Sequence, residues 1–218
     1  MKQNTENIID NLFMHYPQLE SCRDNIMEAF LLINKAYSGG GKVLVCGNGG
    51  SAADSEHIIG ELMKGFMLKR KIKLEDSDRI KIMFPKEWKY LSENLQGSLP
   101  AISLVSQSAF AFAYINDVAP DMVFAQQVYG YAKAGDVLLG LSTSGNSKNV
   151  INAIKIAKAF KVKTIGMTGE SGGIMKNICD TTILAPAIET YRIQEFHLPI
   201  YHALCSMIES EFFESRAF

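Results

Sequence analysis

Short apolar runs and longer helical stripes alternate along the chain. Apolar residues at helical spacing predict helices over 4–37, divided at Pro17, over 149–160 and over 191–213. Helical material over 106–131 is broken near Asn116, Asp117 and Pro120. Five short apolar runs predict buried strands, at 42–45, 101–105, 137–141, 163–167 and 181–185. Strands that alternate with helices form a mostly parallel sheet covered on both faces, because each connection has to cross the sheet. The pattern predicts an α/β protein.

The helices before the first strand have no crossover to make, so we expect them to pack elsewhere, against a partner subunit in one hypothesis. No internal repeat and no low-complexity linker divides the 218 residues, so one domain over 1–218 is the expectation.

The connection over 66–98 is long and has no clear pattern. A basic run, Lys69 to Lys73, is followed by an acidic patch and by several aromatic residues. Such a charge run is usually a solvated face of the protein. The alternative is a lid or a subunit contact, since a long connection inside a compact domain is often functional. A helix within 78–95 would be interrupted at Pro85.

Composition narrows the class of ligand. Hydrophobic residues make up 47% of the chain and the formal net charge is -1. This balance favours a small neutral or anionic ligand and argues against nucleic acid or an anionic membrane as partners. The scattered cysteines predict reduced core thiols, and the polar N-terminus and the absence of a run of about 20 apolar residues favour the cytoplasm. The cysteines are Cys22, Cys46, Cys179 and Cys205.

The first stretch with candidate chemistry is CGNGGSAADSEHIIGEL, residues 46–62. Its glycines allow a tight turn, and Ser51 is a predicted N-cap of the following helix. A helix N-terminus after a glycine turn is a natural anion site. His57 and Glu61 are four residues apart, so they share one helix face. They form either half of a site or a solvated pair.

A second stretch, STSGNS at 142–147, follows a predicted strand, where open α/β sheets place ligands. Its hydroxyls, free backbone N–H groups and following helix N-terminus fit a phosphate; the alternative is an N-cap in a serine-rich loop. The sequence contains no GxxxxGK[ST] loop, which disfavours a nucleoside triphosphatase.

The last helix contains RIQEFHLPIYH, in which Gln194 and His202 lie on one drifting stripe. Eight residues of helix rise ~12 Å, so these two side chains converge only if the helix bends or runs past the site. Pro199 is the predicted cause of a bend. His197 is interpreted as a core histidine.

Together the three motifs closely resemble the sugar isomerase (SIS) domain family, and within it the sedoheptulose 7-phosphate isomerases. The resemblance implies an αβα sandwich with a five-stranded parallel sheet, flavodoxin-like in topology. It also implies a homotetramer with active sites between subunits, built partly on the N-terminal helices (1–38).

The resemblance assigns roles to particular residues. It places the catalytic pair on Glu61 and His202, and it implies one zinc ion per site. The zinc ligands it implies are His57, Glu61, Gln194 and His202. The substrate-binding residues it implies are Asn48, Gly49, Gly50, Ser51, Asp117, Ser142, Thr143, Ser144, Ser147 and Gln194. The chain departs from the family in its long 66–98 connection, at Pro199, and at Tyr191, where some members have an aspartate.

The activity expected from this resemblance is aldose–ketose isomerisation of sedoheptulose 7-phosphate to a heptose 7-phosphate through an enediol. Glu61 would act as the base and His202 as the acid. One alternative is isomerisation of a different phosphosugar. Another is a non-enzymatic SIS protein that binds the replication initiator, although the joint presence of the four ligand positions argues against it.

Overall fold

A computed structural model describes residues 1–214 of the protein. Five strands form its central sheet: β1 (Val43–Cys46), β2 (Ala101–Ser103), β3 (Val137–Leu141), β4 (Lys163–Gly169) and β5 (Thr181–Ala185). All neighbours are parallel, in the order β2-β1-β3-β4-β5. This is the strand order of flavodoxin-like proteins. The predicted five-stranded parallel sheet is confirmed.

Alternate residues of each strand enter two separate hydrophobic cores. Val43 and Val45 of β1 face one core, whereas Leu44 and Cys46 face the other. Both faces of a parallel sheet are covered, which explains why the strands read as continuous apolar runs in the sequence. Val45 pairs with Ser103 and with Leu139, so β1, β2 and β3 end at nearly the same level. The loops that follow them therefore meet at one edge of the sheet.

Residues 1–214 contain ten α-helices. They are α1 (Gln3–His15), α2 (Arg23–Ser38), α3 (Gly50–Met63), α4 (Leu74–Met83), α5 (Trp88–Asn94), α6 (Ser108–Asp117), α7 (Val123–Tyr131), α8 (Lys148–Ala159), α9 (Met175–Ile178) and α10 (Thr190–Phe213). Helices α1, α2, α3 and α10 contribute to one core, and α7, α8 and α9 to the other. The αβα arrangement is confirmed.

The N-terminal helices pack on their own chain. Ile9 and Leu12 of α1 are buried in the core that α10 shares. Thr5 Oγ1 donates to Glu211 Oε1 at 2.8 Å, and Lys2 Nζ donates to the carbonyl oxygen of Ser210 at 2.7 Å. Docking of α1 thus fixes the far end of α10. A partner contact through these helices stays a prediction.

The long connection has an extended start followed by two short helices. Neither α4 nor α5 contains a buried residue, and the break between them includes Pro85 as predicted. The two ends of the connection meet, because the backbone N–H of Gly97 donates to the carbonyl oxygen of Arg70 at 2.9 Å. Reading the basic run as a solvated face is wrong at one position: Arg70 is only 2% exposed.

Several local predictions differ from the structure. Strand β2 ends at Ser103, because Leu104 and Val105 already form a turn. Helix α3 begins at Gly50, and its N-cap is Gly49, with φ of 56°. The predicted cap at Ser51 is therefore wrong, since the left-handed glycine turns the chain before the serine is reached.

Helix α10 continues through Pro199 to Phe213. In residues 1–214 no helix combines the length and the apolarity needed to cross a membrane.

Candidate active site

The glycine turn after β1 brings α3 and α10 into close contact. A Cβ on Gly50 would lie 2.5 Å from the side-chain amide nitrogen of Gln194. A Cβ on Gly47 would lie 2.5 Å from the carbonyl oxygen of Ser51. Neither space accepts a side chain without a shift of its neighbours. The turn therefore places Gln194 against the first residue of α3, and Ser51 is buried beneath it.

The STSGNS stretch (142–147) forms a loop after β3, here called the serine loop, that is closed by hydrogen bonds among its own residues. The hydroxyl oxygens of Ser142 and Ser147 are 2.9 Å apart, and the backbone N–H of Asn146 donates to Ser144 Oγ at 3.2 Å. Helix α8 starts directly after Ser147, so its positive end points into the loop. Thr143 and Ser144 line a cavity of ≈ 350 Å³ that also touches the loops after β4 and β5 and the start of α10.

Two asparagines connect the glycine turn to the serine loop. Asn48 Nδ2 donates to Asn149 Oδ1 at 3.0 Å, and Asn149 Nδ2 donates to Asn48 Oδ1 at 2.9 Å. The loop after β4 joins them, since the backbone N–H of Ile174 donates to Asn146 Oδ1 at 3.0 Å. Asn149 was not among the site residues predicted from the sequence, although its place in the first turn of α8 was an available signal. These bonds hold three loops at the carboxyl edge of the sheet.

An acid–base cluster lies further along α3. His57 Nε2 is 3.3 Å from Glu61 Oε1, and the rings of His57 and His202 are 4.9 Å apart, centroid to centroid. Glu61 is 8% exposed, so the alternative of a solvated His–Glu pair is wrong for this carboxylate. Lys64 Nζ lies 3.5 Å from Glu61 Oε2. Three residues predicted from two distant motifs therefore meet.

Tyr201 and Asp54 orient His57. The Tyr201 hydroxyl donates to Asp54 Oδ1 at 3.3 Å and lies 2.9 Å from His57 Nδ1. Because its single hydrogen goes to Asp54, the hydroxyl oxygen accepts from Nδ1–H. The other ring nitrogen, Nε2, is directed toward Glu61. Neither residue was given a role from the sequence, although both lie inside the quoted motifs.

Burial shifts the pKa values of His202 and Asp54. Desolvation lowers the pKa of His202, the charge of nearby His57 lowers it further, and Glu61 raises it. Desolvation also raises the pKa of the Asp54 carboxyl, against the lowering effects of the Tyr201 hydrogen bond and of His57. A histidine with a lowered pKa gives up its proton more readily, as a proton-transfer residue must.

His197 is separate from this cluster. It is fully buried, and its Nε2–H donates to the carbonyl oxygen of Thr168 at 3.2 Å. Desolvation lowers the pKa of His197 to about 4. The interpretation of His197 as a core histidine is confirmed.

The cluster contains side chains of the types that bind zinc, but they are not gathered around one point. Glu61 Oε2 and His202 Nε2 are both buried and have no hydrogen-bond partner. Histidine nitrogens and carboxylate oxygens are zinc ligands, and His57 Nε2 lies 3.3 Å from Glu61 Oε1. Within residues 1–214, however, no three His, Cys, Asp or Glu side chains are gathered in a metal-holding arrangement. Gln194 lies beside the start of α3, whereas the cluster lies further along that helix.

Asp117 is not joined to either part of the site by the hydrogen bonds of residues 1–214. It ends α6, is exposed, and accepts a hydrogen bond from Asn116 Nδ2 at 2.8 Å. Helix α6 contains no buried residue, although it is rich in apolar side chains. The role of Asp117 in substrate binding stays a prediction.

The fold, the two loops and the three motifs define the class of protein. A family model described as the SIS domain matches residues 16–77 and 96–169. Residues 78–95, which include α5 and part of α4, fall outside the match. This gap agrees with a connection longer than the family's usual one.

Relatives identify the branch of the family. A phosphoheptose isomerase of Nitratiruptor sp. is 40% identical over 88% of this chain and 89% of its own. A probable phosphoheptose isomerase of Thermoplasma acidophilum is 41% identical over 83% and 85%. The phosphoheptose isomerase structure from Francisella tularensis has a TM-score of 0.73 at 28% identity, covering 96% of this chain and 100% of that one. The chain belongs to the phosphoheptose isomerases of the SIS-domain family, as its motifs predicted.

Proposed function

We propose that the protein is an aldose–ketose isomerase that converts sedoheptulose 7-phosphate into a heptose 7-phosphate. The observation that carries this proposal is the meeting of Glu61, His57 and His202 between α3 and α10. It occurs in a chain 40% identical to a phosphoheptose isomerase. A purely binding SIS protein has no need for a buried carboxylate beside two histidines.

The serine loop is assigned to the phosphate group of the substrate. Its hydroxyls and the start of α8 supply donors and a positive dipole without a lysine. Asn48, Gly49, Gly50 and Ser51 would line the sugar from the glycine turn. The phosphate would thus fix one end of the substrate while the other end reaches the acid–base residues.

The reaction moves one proton between adjacent carbons. Glu61 takes a proton from C1 of the ketose, which leaves an enediol, and returns it to C2 of the aldose. His202 transfers a proton between the oxygens on C1 and C2, a task suited to an imidazole with a lowered pKa. No oxidant or co-reactant is needed, because substrate and product are isomers.

Zinc is proposed as the cofactor, one ion per site. His57, Glu61, Gln194 and His202 would hold it. Support comes from Glu61 Oε2 and His202 Nε2, which are buried and have no hydrogen-bond partner, although Lys64 Nζ lies 3.5 Å from Glu61 Oε2. When bound, it would act as a Lewis acid on the oxygens of the reacting carbons. Metal ligands of this kind usually have outer hydrogen-bond partners, and Tyr201 is such a partner of His57.

We propose a homotetramer in the cytoplasm, with active sites between subunits. Three observations support an assembly: the exposed apolar side chains of α6, the position of Gln194 away from the cluster, and the exposed Asp117. The cysteines of residues 1–214 are all free thiols, which suits a reducing compartment.

The test is an NMR assay of sedoheptulose 7-phosphate with wild-type protein, with and without zinc. We expect the aldose signals to grow, and Glu61→Gln to lose at least about 100-fold in turnover. Glu56→Gln makes the same change on the exposed side of α3 and should keep turnover near wild type. No aldose from wild type, or equal rates for Glu61→Gln and wild type, would refute the proposal.

A panel of other phosphosugars in the same assay tests the choice of substrate. We expect the highest kcat/KM for the seven-carbon ketose. A higher value for another ketose phosphate would reassign the substrate while keeping the reaction, and a pull-down with initiator protein tests the non-enzymatic alternative.

A further inference from the structure

Arg70, in the segment that follows α3, forms a buried ion pair with Glu209, near the end of α10. Arg70 Nε donates to Glu209 Oε1 at 2.7 Å, and their side chains are 0% and 1% exposed. Phe213 covers the guanidinium, with the ring centroid 4.9 Å from its carbon. Removing two charges from water is costly, and such a pair is retained where all of its bonds are satisfied.

The remaining donors of Arg70 hold the last turn of α3. Nη2 donates to the carbonyl oxygen of Glu61 at 2.8 Å, and Nη1 donates to that of Leu62 at 2.6 Å. These carbonyls lie in the final turn of the helix, where no intrahelical N–H is available. The planar fork of an arginine can bridge two adjacent carbonyls, whereas a lysine ammonium cannot reproduce that geometry. Arg70 therefore fixes the backbone that carries Glu61.

Glu209 holds the segment that follows α3. Its carboxylate accepts from the backbone N–H groups of Phe66, Met67 and Leu68, at 2.8, 2.7 and 3.1 Å. The Phe66 ring packs on His202, with centroids 5.4 Å apart. One carboxylate thus sets the position of the ring that borders the second acid–base residue.

We propose that Arg70 and Glu209 are positioning residues for the reaction: together they fix Glu61 through its backbone and His202 through Phe66. The inference rests on the proposed function, in which Glu61 and His202 transfer protons. Proton transfer depends on placement to within about 1 Å. Neither Arg70 nor Glu209 has a side-chain atom exposed to a substrate.

A merely structural ion pair predicts a different kinetic result. The serine loop lies after β3 and is bonded to the loops after β1 and β4, away from the end of α3. Loss of positioning should therefore lower kcat and leave KM nearly unchanged. Loss of stability alone should reduce the folded fraction and leave the kcat of the folded protein unchanged.

The test compares Arg70→Lys and Glu209→Gln with Asp136→Asn. Asp136 is a matched control: it is buried, its Oδ2 is 2.6 Å from Lys42 Nζ, and it accepts from the backbone N–H groups of Lys42 and Lys133. Its side-chain bonds go to Lys42 and Lys133 and to neither α3 nor α10. Rates are divided by the folded fraction measured by circular dichroism.

We expect Arg70→Lys and Glu209→Gln to lower kcat by about 10- to 100-fold, with KM within about twofold of wild type. Asp136→Asn should keep kcat within about twofold. Equal kcat losses in all three variants, or wild-type kcat in Arg70→Lys, would overturn the inference.

A milder variant covers the case in which the ion-pair variants do not fold. Phe66→Leu keeps every backbone bond to Glu209 and removes only the ring beside His202. We expect a lowered kcat and a shifted His202 ring signal by NMR. An unchanged signal and an unchanged kcat would show that Phe66 does not position His202. Wild-type turnover reports separately on the proposed function. The His202 signal in Glu209→Gln tests positioning even if wild type does not isomerise this substrate.

Discussion

His197 should make the stability of the protein depend on pH. It is fully buried and its pKa is lowered to about 4 by desolvation, against an ordinary value of 6.5. Between these two values the unfolded chain binds a proton that the folded protein does not. The stabilisation by a neutral His197 is therefore complete above pH 6.5 and is lost as the pH falls toward 4.

The size of the effect follows from the two pKa values. The shift corresponds to about 3 kcal/mol over the full range, of which about 2 kcal/mol is lost between pH 7 and pH 5. The perturbation is His197→Gln, whose amide can replace Nε2–H as the donor to Thr168 without titrating. From pH 7 to pH 5, wild type should lose about 2 kcal/mol more free energy of unfolding than this variant.

Urea unfolding followed by circular dichroism measures the difference, with one protein concentration throughout so that any assembly contributes equally. His15→Gln makes the same change at an exposed position on α1 and serves as the control. An equal loss of unfolding free energy in wild type and His197→Gln would refute the reasoning. His197 would then bind protons equally in the folded and unfolded states.

Three substitutions test the site. Tyr201→Phe removes the acceptor of His57 Nδ1–H and should weaken zinc binding by about 10- to 100-fold in a chelator competition; unchanged affinity contradicts its orienting role. Ser147→Ala should raise KM for the phosphosugar by about tenfold or more with kcat retained, and a fall in kcat at constant KM would contradict the phosphate assignment. Gly50→Ala forces Gln194 aside and should lower kcat/KM by about tenfold or more. The control is Gly130→Ala, where an added Cβ meets nothing within 4 Å. Equal activity of the two variants would show that the position of Gln194 does not matter to the site.

The sheet could be predicted because its strands are buried on both faces. Such strands leave continuous apolar runs, and their number and parallel direction follow from the alternation with helices. The ends of the strands and helices were less predictable. The cap of α3 depends on the left-handed backbone of Gly49, which a preference for serine at N-cap positions does not reveal.

The site was predictable where its residues lie in short motifs, as with His57, Glu61 and the serine loop. It was not predictable where a partner is distant in sequence. Arg70 belongs to a basic run that reads as solvated, and its partner Glu209 is 139 residues away on α10. Burial of a charge is decided by tertiary contacts, so the local composition around Arg70 indicates the opposite environment.

The hydrogen bond between Gly97 and Arg70 makes the connection between them a closed excursion. Its helices α4 and α5 bury no residue of their own, and the family match leaves out residues 78–95. Closing a longer loop costs little extra entropy once its ends are fixed. Evolution can therefore lengthen, replace or remove this excursion as a module while the strands and the catalytic helix keep their places. Diversity among relatives can accumulate there without a new fold.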